Sequence, residues 1–136
     1  MRKYILLFVL IFYSCSPIKK YKNSVSVFEQ EILNLEKLDS IKQATKEDLL
    51  FIGSSSVRLW KEIERDMSPY NAIKRGYGGA HYYDLIHFIE RLVVNHSPKA
   101  ILIFVANDIT GSEDVFRSRT DLSPKEVKRL FEYCFN

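Results

Sequence analysis

Leu49-Leu50-Phe51-Ile52-Gly53-Ser54-Ser55-Ser56-Val57-Arg58-Leu59-Trp60 is the stretch on which the fold reading turns. Leu49–Ile52 is a continuous apolar run ending at a glycine, the pattern of a short strand buried on both faces. Three serines follow, and Val57–Glu64 has helical character, so the order is strand, tight turn, helix. The same unit recurs further along. A second strand is placed around Ala72–Lys74, after Met67-Ser68-Pro69 ends the preceding helix. A loop containing Gly76, Gly78 and Gly79 leads into Tyr83–Val94, where Leu85, Ile86, Phe88, Ile89, Leu92 and Val93 form a broad apolar stripe at helical spacing. Ser97-Pro98 breaks that helix, and Ala100–Val105 is the clearest strand in the chain, apolar throughout and closed by Ala106-Asn107-Asp108. Strands alternating with helices imply an α/β fold with a parallel sheet and right-handed crossovers. Ligands of such sheets sit at the carboxyl ends of the strands, where all three unusual loops fall: Gly53–Ser56, Arg75–His81 and Ala106–Ser112.

The flanks carry further helices. Ser26-Val27-Phe28-Glu29 has the capping-box pattern, followed by Phe28, Ile32, Leu35 and Leu38 on one face. Ser123-Pro124-Lys125-Glu126 combines a second capping box with proline at the first helical position, followed by Val127, Leu130, Phe131 and Cys134. Asp114–Thr120 is polar and receives no element. A length of 136 residues with 46% hydrophobic and 27% charged residues fits one globular domain and excludes disorder or a coiled coil.

The amino terminus reads differently. Met1-Arg2-Lys3 and the apolar run Tyr4–Tyr13 precede Ser14-Cys15-Ser16-Pro17, a secretory leader with a small residue at the cut. Ten apolar residues fall short of the roughly 20 that span a bilayer as a helix. The cysteine directly after the run resembles a bacterial lipobox, in which Cys15 becomes the lipidated first residue. The expected organisation is a signal peptide over 1–14, a tether over 15–25 and a domain over 26–136. The expected location is outside the cytoplasm, periplasmic or at the cell surface of a bacterium, with the membrane engaged through Cys15. The net charge is +3, and removing Arg2 and Lys3 with the leader leaves about +1. Lysines and acids alternate along Lys37–Asp48 and Lys61–Asp66, so no basic stripe calls for nucleic acid.

Three blocks carry chemistry. Phe51–Trp60 resembles the first conserved block of the SGNH (GDSL-like) serine hydrolases, in a Gly-Ser-Ser-Ser-x-Arg-x-Trp variant. Aligned on Gly53, the resemblance makes Ser55 the nucleophile, with Ser54 where many members have Asp and Ser56 as the helix cap. Lys74-Arg75-Gly76-Tyr77-Gly78-Gly79-Ala80 looks like the second block, commonly Asn-Arg-Gly-Phe-Gly-Gly-Ser, whose last glycine offers its N–H to the oxyanion. That role maps to Gly79, although Lys74 replaces the usual Asn and Ala80 the usual Ser. Val105-Ala106-Asn107-Asp108 resembles the third block, Gly-x-Asn-Asp, and assigns the other oxyanion donor to Asn107, with Val105 in place of the family glycine. Asp108 is read as holding its loop by local hydrogen bonds. The resemblance is nearest to the esterase-like branch that includes platelet-activating-factor acetylhydrolase relatives. It implies a flavodoxin-like three-layer α/β/α sandwich, acyl-ester hydrolysis through an acyl-serine, no cofactor, and a small-molecule or carbohydrate acyl ester as substrate. Ser55, Gly79 and Asn107 are expected to converge at one edge of the sheet.

One part of that machinery has no counterpart. A serine hydroxyl needs a base, which this family takes from an Asp-x-x-His near the carboxyl terminus, and no Asp-x-x-His occurs in the 136 residues. The expectation is therefore a carboxyl-terminally incomplete domain, inactive alone. The alternative is a non-catalytic ligand- or glycan-binding lipoprotein on the same fold. Of the histidines, His87 and His96 read as ordinary polar positions, and His81 lies at the rim of the expected pocket. No spacing of His, Cys, Asp and Glu suggests a metal site. Gly53–Ser56 lacks the Gly-Lys-Ser/Thr ending of a phosphate-binding P-loop.

Overall fold

A computed structural model describes residues 17–22, 25–40, 45–110 and 121–135. The leader with Cys15, the loop end at Ser112 and the Asp114–Thr120 segment lie outside the described residues. Strands β1 (Leu49–Gly53), β2 (Ala72–Gly76) and β3 (Ala100–Phe104) form one parallel sheet in the order β2-β1-β3. Successive side chains of a strand point to opposite faces. In the central strand, Leu50 and Ile52 face one core and Phe51 the other.

Helices cover both faces. On the side of Leu50 and Ile52, helices α2 (Glu29–Asp39), α5 (Tyr82–Val93) and α6 (Pro124–Tyr133) bury Ile32, Leu85, Phe88, Leu92 and Leu130. On the side of Phe51, the single turns α3 (Ser55–Arg58) and α4 (Ile63–Asp66) bury Val57 and Ile63. This is the three-layer α/β arrangement that the alternation of elements implies.

Local details differ from the sequence reading in four places. Val57–Glu64 is two short helices rather than one, because Val57 and Ile63 both enter the same core. Six positions apart on a continuous helix of 3.6 residues per turn, they would point about 120° apart. Trp60 fills the break: its ring meets Phe51 edge-on at 5.7 Å and its indole N–H donates to Asp66 Oδ2 at 2.8 Å. The Ser26 capping box does not form; α2 starts after Phe28 with no side-chain cap, and Phe28 is instead buried edge-on against Tyr77 at 5.1 Å. Ser54, rather than Ser56, precedes α3 as its cap residue, again without a side-chain bond. Part of the expected tether also docks. After α1 (Pro17–Lys20), Tyr21 stacks on Tyr83 at 5.2 Å and donates to Glu126 Oε1 at 2.9 Å. The second capping box does form: Ser123 Oγ accepts the Glu126 N–H at 3.2 Å, with Pro124 at the first helical position.

The two outer strands end in unlike surroundings. On β2, Lys74 Nζ donates to the Trp60 carbonyl at 3.0 Å, and the buried Arg75 guanidinium binds Asp39, Nε to Oδ1 at 3.0 Å. His96 Nε2 lies 3.1 Å from the same Asp39 oxygen. On β3, Ile101, Leu102 and Phe104 stay 38%, 41% and 55% exposed.

Candidate active site

The site starts from strand register. Gly53 pairs with Gly76 on one side and Phe104 on the other, so the three strands finish level. The backbone continues the pairing past the strands: Tyr77 N–H donates to Gly53 O at 3.0 Å and Ser54 N–H to Phe104 O at 3.2 Å. Ser55, at the start of a helix, and the loops carrying Gly79 and Asn107 therefore leave from one edge of the sheet.

Ser55 is the first residue of α3, half-buried, directly after β1. The helix sits close to the sheet because two glycines let it. A Cβ on Gly53 would stand 2.2 Å from the Phe104 carbonyl oxygen and 2.8 Å from Val57 Cγ2, and one on Gly76 would stand 2.5 Å from the Arg58 nitrogen. Beside α3 an apolar groove of about 500 Å³ runs between Phe51, Val57, Trp60 and Met67 on one side and Leu102 and Phe104 on the other, with Ser56 at its rim.

Gly79 is exposed, with φ of 71°. Nothing lies within 4 Å of where its Cβ would be, so conformation rather than space demands glycine here. The loop is held from α2: Glu31 accepts the Gly78 N–H at 3.1 Å and the Arg58 guanidinium at 2.8 Å. Glu31 thus ties the loop of the second block to the helix of the first. Sequence reading passed over it, because a contact spanning 47 residues leaves no local signal.

Asn107 is brought to the residue that follows Gly79. The Asn107 amide donates to Ala80 O at 2.8 Å, fixing the β3 loop to the residue after Gly79. Asp108, 3% exposed, reaches the same place: Oδ2 accepts the Tyr82 N–H at 2.9 Å, and Oδ1 lies 3.2 Å from His81 Nδ1. The His81 ring stacks on Tyr83 at 4.6 Å, nearly parallel. Below this junction lies a second buried carboxylate. Asp84 accepts the Tyr77 hydroxyl at 2.6 Å and the His81 N–H at 3.2 Å. Burial outweighs these hydrogen bonds and pushes the Asp84 carboxyl up to about 7, and the same burial raises the Tyr77 hydroxyl.

Away from this edge, His87 lies midway along α5 and His96 follows its end, buried against Asp39. A cavity of about 520 Å³ lies beside β2 between Leu38, Ile63, Arg75 and His96, apart from all three candidate residues. Cys134 is a free thiol at the end of α6, and burial pushes it up to about 11. Among the described residues no group of three His, Cys, Asp or Glu side chains could hold a metal ion, and no helix is long and apolar enough to cross a membrane.

No protein-family profile and no curated protein matches the chain. A solved structure does: one from Streptococcus pneumonia, described as a candidate platelet activating factor, aligns with a TM-score of 0.60 at 18% identity. The alignment covers 87% of this chain and 51% of the other, so the chain spans about half the length of the solved structure it matches. The three-stranded parallel sheet with helices on both faces is thus the fold of one half of that structure, as the alternation of strands and helices implied.

Proposed function

We propose that this edge is the nucleophile and oxyanion part of a serine ester-hydrolase site. Ser55 Oγ attacks the carbonyl carbon of an acyl ester, the alcohol leaves, and water releases the acyl group from the serine. The Gly79 N–H and the Asn107 amide stabilise the oxyanion. Asn107 holds one amide proton on Ala80 O and keeps a second donor. The observation that carries the reading is the level ending of the three strands, with Asn107 tied to the residue beside Gly79. The shared fold with a structure described as a candidate platelet activating factor supports it, as do the three motif blocks. The substrate class is a small-molecule or carbohydrate acyl ester.

The test is hydrolysis of p-nitrophenyl acetate in the presence of added imidazole, which makes the assay independent of any base in the protein. Ser55→Ala should remove the protein-dependent rate, and Asn107→Ala should lower it roughly 10²-fold. Equal rates for wild type and Ser55→Ala would end this reading in favour of a non-catalytic binding protein. We further propose export and anchoring through an acylated Cys15, supported by the basic start and short apolar run before it. Metabolic labelling with a fatty-acid analogue should mark the wild type and not Cys15→Ser; equal labelling of both would remove the anchor.

A further inference from the structure

We infer that the cavity beside β2 is a binding site for a small amphiphilic anion, a carboxylate or phosphate monoester with a short apolar body. The inference is independent of the reading of Ser55. At about 520 Å³ the cavity falls within the roughly 300–1,000 Å³ of small-molecule sites.

Its floor is the free side of β2. Leu49 N–H donates to Asn71 O at 2.8 Å and Tyr77 N–H to Gly53 O at 3.0 Å, so the odd-numbered residues along β2 face β1. Successive residues of a strand turn their backbone groups to opposite sides. Ala72 and Lys74 therefore aim their N–H groups away from β1, and both residues line the cavity. The Lys74 carbonyl already accepts Arg75 Nη1 at 2.8 Å, which leaves donors in excess along this edge.

The walls add positive charge and apolar surface. Lys74 Nζ donates one proton to Trp60 O at 3.0 Å and keeps two, and the exposed Lys61 lines the same cavity. Among the described residues no carboxylate pairs with either lysine, because the nearby acids are engaged elsewhere. Glu62 holds Arg65 at 3.2 Å, Glu64 has a partner of its own, and Asp39 holds Arg75. Leu38 and Ile63 give the cavity its apolar lining.

His96 marks the site. Its side chain is 3% exposed and lines the cavity, yet neither ring nitrogen has a hydrogen-bond partner. Asp39 Oδ1, 3.1 Å from Nε2, already accepts Arg75 through Nε and Nη2, and no aligned bond to the imidazole forms. Buried polar groups in native proteins are nearly always paired. A rotation of the ring would present a nitrogen to an oxygen held in the cavity. An anionic head among these donors, with an apolar body against Leu38 and Ile63, matches the floor, the walls and the unpaired histidine together.

The experiment is a titration of the isotope-labelled full chain with hexyl phosphate, hexanoate, inorganic phosphate and hexanol, read by the NMR shifts of backbone amides and histidine rings. We expect saturable shifts at Ala72, Lys74 and the His96 ring with the hexyl anions, the tighter of the two identifying the preferred head. Inorganic phosphate should bind more weakly and hexanol not at all. Lys61→Met and Lys74→Met should each weaken binding about tenfold, the loss of one charge-assisted hydrogen bond. Lys61 is exposed, so its variant tests the charge even if Lys74→Met disturbs the turn at Trp60. No saturable shift at β2 with either hexyl anion overturns the inference, and so does equal binding of hexanol. Inorganic phosphate binding as tightly as hexyl phosphate overturns it too, because the apolar body then contributes nothing. Unchanged affinity in both lysine variants overturns it as well.

Discussion

The outer strands β2 and β3 flank the same central strand in the same register, yet they end the sheet in opposite ways. On β2, Lys74 and Arg75 stand near the carboxyl end, and Arg75 reaches Asp39 with both side chains under 10% exposed, at 7% and 6%. On β3, Ala100–Phe104 carries no charge, and four of its five residues are exposed. Protein sheets blunt free edges with charge or cover, because an unpaired strand is a template for another. By composition β2 is an edge and β3 is an interior strand left outermost among the described residues. The difference shows that strand identity is written in side chains, whereas strand position is set by which elements are present.

The comparison can be broken hardest at β2. Asp39→Ala leaves the Arg75 guanidinium buried without its carboxylate, which should cost on the order of 3–5 kcal/mol, read as a lowered urea midpoint at unchanged slope. A change within 0.5 kcal/mol would show that β2 is not fortified by this pair.

The second prediction concerns Asp84, beneath the loop that continues from β2. Its carboxyl titrates near 7 in the fold against an ordinary 3.8, so between those values the folded state holds a proton that the unfolded chain has lost. Stability contributed this way is full below pH 3.8 and falls as pH rises through about 7. At about 1.4 kcal/mol per pKa unit the whole effect is at most roughly 4 kcal/mol. Asp84→Asn should flatten the slope of unfolding free energy against pH between about 4 and 7. An unchanged slope would assign the pH dependence to other groups.

The third and fourth predictions test the β3 side. Ser123→Ala removes the cap of α6 and should cost about 1 kcal/mol in the same denaturation. Leu102→Lys gives β3 the charge that β2 already has. At a side chain 41% exposed it should alter stability by no more than about 0.5 kcal/mol, yet lower concentration-dependent association in sedimentation velocity. Association identical to wild type would mean that the β3 edge does not drive it.

The contrast also explains what could be read from the sequence. All three strands, α5, α6 and the parallel topology were legible because each rests on a local signal: an apolar run, a stripe at helical spacing, a capping box. The α3–α4 break was not, since it is set by Val57 and Ile63 entering one core. The docking of Tyr21 on Tyr83 and Glu126 was hidden for a similar reason, its hydrogen-bond partner being 105 residues away. At the candidate site the residues that the motifs single out, Ser55, Gly79 and Asn107, each follow the end of a strand. The groups that hold those loops, Glu31 on Gly78 and Asp108 on His81, needed the fold: their partners lie 47 and 27 residues off.

The glycines beneath α3 have a consequence for engineering. With hydrogen in place of a methyl group, Gly53 and Gly76 set the elevation of the helix, as a thin shim sets the height of a bearing. Alanine at Gly76 would jack up the Arg58 end and tilt the axis, and the tilt would be felt at the other end, where Ser55 stands. Position 76 is therefore a lever on the orientation of Ser55, and a library there would sample angle rather than chemistry.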